Sequence, residues 1–122
     1  MEYDFHGIIV QDSLKDQSLL SEVTILGQKN GRDWKLIRVG IQLSGMEKFV
    51  ESISRNLRTE KGVPYYAHFY SKDKLIIVFP QKVFTVTPNN ETWKPAIEYG
   101  LSKGVLLEQL DFFPSKVEDE TF

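Results

Sequence analysis

Apolar residues alternate with polar ones in several short runs, and twice they recur at a helical repeat instead. Tyr3, Phe5 and the run Ile8-Ile9-Val10 supply β-prone residues, so residues 2–11 predict a strand. Residues 11–21 are polar with Leu14, Leu19 and Leu20 scattered among them, which fits a loop or a short helix. Asn30-Gly31 between two β-rich runs predicts a two-residue hairpin turn with arms at 22–29 and 32–43. In that register Lys29 faces Arg32, Gly27 faces Trp34, Ile25 faces Leu36 and Thr24 faces Ile37, and the indole of Trp34 would cover the strand glycine. Ile37, Val39, Ile41 and Leu43 alternate, so that face of the second arm should meet the core.

The first helical repeat follows. Ser44-Gly45-Met46-Glu47 matches a capping box. Met46, Phe49, Val50, Ile53 and Leu57 then form one stripe of an amphipathic helix, with Arg55 and Arg58 near its C-terminal end and Gly62 closing the segment. Residues 64–87 read as a three-strand meander, with strands at 65–70, 75–79 and 83–87 and a break at Pro88. A second helix is expected over 91–103, with Pro95 in its first turn, Thr92 as N-cap or Asn90 with some distortion, a stripe of Trp93, Ala96, Ile97 and Leu101, and Gly104 just past its end. Residues 105–113 fit a turn or a short strand.

The order predicts an α+β fold, a mostly antiparallel sheet of about five to six strands with two amphipathic helices packed on one face. A ferredoxin-like core is one arrangement of the pieces from Trp34 onward. The 122 residues suit one domain, taken as 1–114, with 115–122 as an acidic and disordered tail.

Composition narrows the function classes. Hydrophobic residues make up 41% and charged residues 26%, close to globular averages. With no cysteine there is no disulfide, thiolate metal site or cysteine nucleophile. The tail carries Lys116 against Glu118, Asp119 and Glu120, which accounts for the whole net charge of -2 and leaves the body neutral. A neutral body disfavours nucleic acid, whose binding depends on many phosphate contacts. The longest apolar run, Leu75-Ile76-Ile77-Val78-Phe79, is far short of the ~20 residues of a membrane span. The opening Met1-Glu2-Tyr3-Asp4 has no basic stretch before an apolar one, so no secretory leader is expected and a cytoplasmic protein is.

Two stretches carry a resemblance. Tyr65-Tyr66-Ala67-His68-Phe69-Tyr70 running on to residues 75–79, and Trp93-Lys94-Pro95-Ala96-Ile97-Glu98-Tyr99-Gly100 ending in residues 108–112, resemble a group of small uncharacterised bacterial and archaeal proteins. The resemblance covers about the last half of the chain. It implies no activity and assigns no residue a role.

Three candidate sites remain. Tyr66, His68 and Tyr70 share one strand face, away from Tyr65 and Phe69, and would present an aromatic surface for a protein partner or for self-association. Trp34 with Lys29, Arg32, Lys35 and Arg38 on the hairpin, joined by Arg55, Arg58 and Lys61, would bind a small ligand or a nucleic acid. Asp4 and His6 alternate on the first strand, and an enzyme using His6 and His68 with a carboxylate is the remote third reading. Phosphate-binding glycine loops and metal-ligand spacings are missing from the sequence, so no cofactor and no metal are expected. The favoured expectation is a non-enzymatic protein-interaction module acting through the aromatic sheet face.

Overall fold

β1 (Phe5–Val10) occupies the middle of the sheet, and its sequence explains why. Phe5 and Ile9 pack into one apolar cluster and Ile8 into another, so the strand is apolar on both faces. The computed structural model describes residues 3–122; residue 2, where the predicted strand began, lies outside the described residues. Beside β1 lie β2 (Thr24–Asn30), β3 (Lys35–Ile41), β6 (Ala67–Tyr70), β7 (Leu75–Phe79) and β8 (Lys82–Val86). The order is β2-β3-β1-β6-β7-β8, with every neighbouring pair antiparallel. A separate two-strand hairpin joins β4 (Thr59–Glu60) to β5 (Val63–Pro64). The α+β class and the six-strand antiparallel sheet follow the sequence expectation. The ferredoxin-like arrangement does not form, because β1 lies between β3 and β6 and residues 105–113 add no strand.

The helices flank the sheet on opposite faces, which corrects the expectation of both on one face. α1 (Leu43–Asn56) buries Met46, Phe49, Val50 and Ile53 against Phe5, Ile9, Ile37, Val39 and Phe69. α2 (Lys94–Ser102) buries Ala96 in a second cluster with Ile8, Tyr70, Leu75, Ile77 and Phe79. The reason lies in β6 and β7. Every residue of β6 is buried, and so are Leu75, Ile77, Val78 and Phe79 of β7. Strands apolar on both faces need two covers, and each fully buried large apolar side chain contributes about 1.5–3 kcal/mol.

Local signals hold in part. At the end of α2, Gly104 takes φ 95°, Val105 N–H donates to Gly100 O at 3.0 Å and Gly104 N–H to Leu101 O at 3.1 Å, the paired bonds of a Schellman stop. Pro95 lies in the first turn of α2 as expected, with Trp93 rather than Thr92 at the cap. At α1 the capping box is unused, and the Leu43 N–H donates instead to Asp4 Oδ2 at 2.6 Å. The hairpin also differs. Asn30 pairs with Lys35 and the loop covers 31–34, closed by Gly31 N–H to Trp34 O at 2.7 Å. Neither Asn30 nor Gly31 takes the positive φ that the two-residue turn requires. A bulge between Ile25 and Gly27 shifts the register further, so Gly27 pairs with Arg38. Trp34 therefore does not cover Gly27. A Cβ there would meet the main-chain carbon of Phe122 at 3.1 Å, so the glycine makes room for the far end of the chain.

Within residues 115–122, expected as a disordered tail, Val117–Asp119 form a short 3-10 turn, and Glu120 and Phe122 lie against the second sheet face. Glu120 explains this, since its carboxylate meets Arg38 of β3, His6 of β1 and Tyr70 of β6.

Candidate functional site

Period two does place Tyr66, His68 and Tyr70 together. Their rings follow one another along the strand with centroids 6.4 Å apart from Tyr66 to His68 and 5.9 Å from His68 to Tyr70. The expectation of an open aromatic face is corrected, because the chain after β8 returns over it. Tyr70 is 0% and His68 4% exposed. Phe112, itself fully buried, sets its ring 5.5 Å from Tyr66 and 6.4 Å from His68. The Tyr66 hydroxyl donates to Gln109 O, His68 Nε2 lies 2.9 Å from Pro114 O, and the Tyr70 hydroxyl donates to Glu120 Oε2 at 2.5 Å. Tyr70 is thus removed from any surface, while Tyr66 and His68 remain beside a cavity.

The protonation states follow from this burial. Desolvation disfavours the imidazolium and pushes His68 down to about 4, although the Pro114 carbonyl and the Asp111 charge act the other way. His68 is therefore neutral near pH 7. A carbonyl oxygen only accepts, so Nε2 carries the proton and Nδ1 is left as an acceptor. Burial also raises Tyr66 and Tyr70 well above the usual phenol range, with Glu120 adding to the effect at Tyr70.

The basic hairpin does not hold together as one patch. Lys29 and Arg32 are exposed and Lys35 is half-buried. Arg38 is turned inward, with Nη1 2.9 Å from Glu120 Oε1 and Nε 2.6 Å from Phe122 O. Arg55 is paired to Glu51, and Arg58 donates to Asp12 O at 2.7 Å, at the end of a helix on the opposite sheet face. The histidines also fail to form an acid–base set. His6 Nδ1 is 2.6 Å from Glu120 Oε2, Asp4 serves α1, and His68 is held by Pro114. Among the described residues no group of three or more His, Cys, Asp or Glu comes together to hold a metal ion.

Two of the predicted sites nevertheless meet. A cavity of about 320 Å³ opens on the second face between the hairpin loop and the returning chain. Ile8 of β1, Leu36 of β3 and His68 of β6 contribute from the sheet. Trp34, which sequence reasoning set in the hairpin site, lines it together with Tyr66. Val105 and Phe113 come from the returning chain, with Glu108 and Asp111 exposed among them. Those four residues were not foreseen. Residues 105–113 carry no periodicity, and the one usable signal was their unexplained apolar density around two acids. Trp34 is 43% and Phe113 55% exposed, so the cavity has apolar residues in contact with solvent.

Comparison with known protein families, with curated proteins and with solved structures finds no match.

Proposed function

We propose that the protein is a non-enzymatic protein-interaction module of the cytoplasm, and that it takes a side chain of its partner into the cavity between Trp34, Tyr66, His68 and Phe113. One observation carries this reading. The cavity is lined mainly by apolar and aromatic groups, and large apolar residues stand exposed beside it, including Leu106 at 56% and Leu107 at 62% along the same returning segment. Exposed apolar surface around a pocket is the usual mark of a contact site. A second reading has the pocket hold a free small molecule, and a volume of about 320 Å³ at the lower end of the ligand-pocket range favours it. Nucleic acid fits worse, since the charged side chains that line the cavity are carboxylates. No helix among the described residues is long and apolar enough to cross a membrane.

A photo-crosslinking amino acid placed at position 113, with a control at exposed Glu47 on α1, tests the reading in living cells. A discrete protein adduct from position 113 and none from position 47 is expected. No protein adduct from position 113, or the same adducts from both positions, would overturn the protein-partner reading.

A further inference from the structure

The cavity has a sign as well as a shape. Among the described residues the charged side chains that line it are Glu108 and Asp111, both acidic and exposed, with no lysine or arginine in the lining. Among the described residues the arginine–carboxylate pairs are Arg38 with Glu120 and Arg55 with Glu51, and His6 also contacts Glu120, so neither Glu108 nor Asp111 has a cationic partner there. Asp111 Oδ1 accepts only a long bond of 3.4 Å from the Phe113 N–H.

Two further polar side chains of the lining lean the same way, while the Gln109 amide can both donate and accept and the Trp34 indole N–H donates. His68 is neutral with its proton committed to Pro114 O, which leaves an acceptor on a ring that lines the cavity. The Tyr66 hydroxyl has spent its proton on Gln109 O. The charge of Asp111 is felt at both of these rings, raising Tyr66 and opposing the fall at His68, so the negative field reaches into the cavity. The rings of Trp34, Tyr65, Tyr66 and Phe113 also line it, and the face of an aromatic ring attracts positive charge. Ile8, Val10 and Leu36 supply an apolar floor that an ammonium or guanidinium alone would leave unused.

From this complementarity we infer that the occupant is a cation on an apolar stem, the side chain of a lysine or arginine in a basic segment of the partner protein. The inference rests on the pocket being the binding site, and its test separates the two claims.

The probes are n-hexylguanidinium, n-hexanol and n-hexanoate, which share a stem and differ in charge. Each is titrated into the ¹⁵N-labelled full chain while the Trp34 indole N–H and the main-chain signals of residues 66–68 and 105–113 are followed. The guanidinium should bind at least ~5-fold more tightly than the alcohol, and the hexanoate more weakly than both. In the Glu108→Gln/Asp111→Asn double variant the guanidinium should fall to the affinity of the alcohol, with the alcohol unchanged. Added salt should weaken the guanidinium alone. Equal affinity for guanidinium and alcohol would overturn the cationic class and leave an apolar pocket standing. Preference for the hexanoate would overturn it outright. No saturable shift with any probe would overturn the pocket reading together with the inference.

Discussion

Arg38 and Glu120 stand 82 residues apart in the chain, and their side chains meet at 2.9 Å on the second face of the sheet. The same carboxylate lies 2.6 Å from His6 Nδ1 and accepts from the Tyr70 hydroxyl at 2.5 Å. One glutamate thereby ties the end of the chain to β3, β1 and β6, and the guanidinium of Arg38 also lies 5.9 Å from the Phe122 ring centroid. The pair is largely shielded from solvent, at 15% and 10% side-chain exposure.

Glu120→Gln keeps the shape of this contact and removes its charge. The change should cost roughly 1.5–3 kcal/mol, the range for a hydrogen bond to a charged group. Urea unfolding of the two proteins at pH 7 measures it. Equal midpoints and slopes would mean that the tail does not hold the sheet face.

The buried neutral imidazole of His68 makes stability depend on pH. Its folded value of about 4 lies below the ordinary 6.5, so between those values the unfolded chain binds more protons. This contribution is fully present above about 6.5, declines as the pH falls toward 4, and changes no further below that. The Tyr66 and Tyr70 rings flank the imidazole, both phenols raised by burial and so neutral, and the Asp111 carboxylate opposes the fall of the His68 value. In urea titrations at pH 7 and pH 4.5, the wild type should lose more stability than His68→Gln, whose amide can still donate to Pro114 O. Equal losses would contradict the buried neutral histidine.

Two glycine substitutions should have opposite signs. Gly7 lies beneath Phe69 on the neighbouring strand, and a Cβ there would fall 2.1 Å from Phe69 Cδ1. Gly7→Ala should therefore destabilise by about 1–3 kcal/mol, as overpacking of a core does. Gly45 lies in the first turn of α1 with no atom of the described residues within 4 Å of its Cβ position, so Gly45→Ala should stabilise by up to about 1 kcal/mol. Thermal and urea unfolding of the two variants checks both signs.

What was legible in the sequence was what neighbouring residues decide. The stripe from Met46 to Ile53, the meander through Leu75–Phe79 and the glycine stop at Gly104 all formed. Contacts made across the fold were not legible. Asp4 caps α1 from 39 residues away, displacing the local capping box. The bulged hairpin register leaves Gly27 against Phe122 and frees Trp34 to line the cavity. Strand alternation did place Tyr66, His68 and Tyr70 on one face, yet periodicity has no means of saying what lies over a face. The cover is α2 and an aperiodic segment in which Phe112 takes φ 46°, a conformation that side-chain-bearing residues enter only when packing compels it. The same segment supplies the Glu108 and Asp111 of the candidate site.

Trp34 and Phe113 are only half-buried, at 43% and 55% exposure, so Trp34→Ser with Phe113→Ser should cost about 2–5 kcal/mol and leave the chain folded, as urea unfolding would check, while removing the walls of the cavity. This makes the double variant suitable for testing the central claim, that the protein acts by binding at this pocket. The measurement is native mass spectrometry of the wild type and the variant, each isolated gently from its own cells. The account predicts a species heavier than the bare 14.1 kDa chain for the wild type, larger by the mass of a partner protein, and the bare chain for the variant. The same heavy species from both proteins, or the bare chain from both, would contradict it.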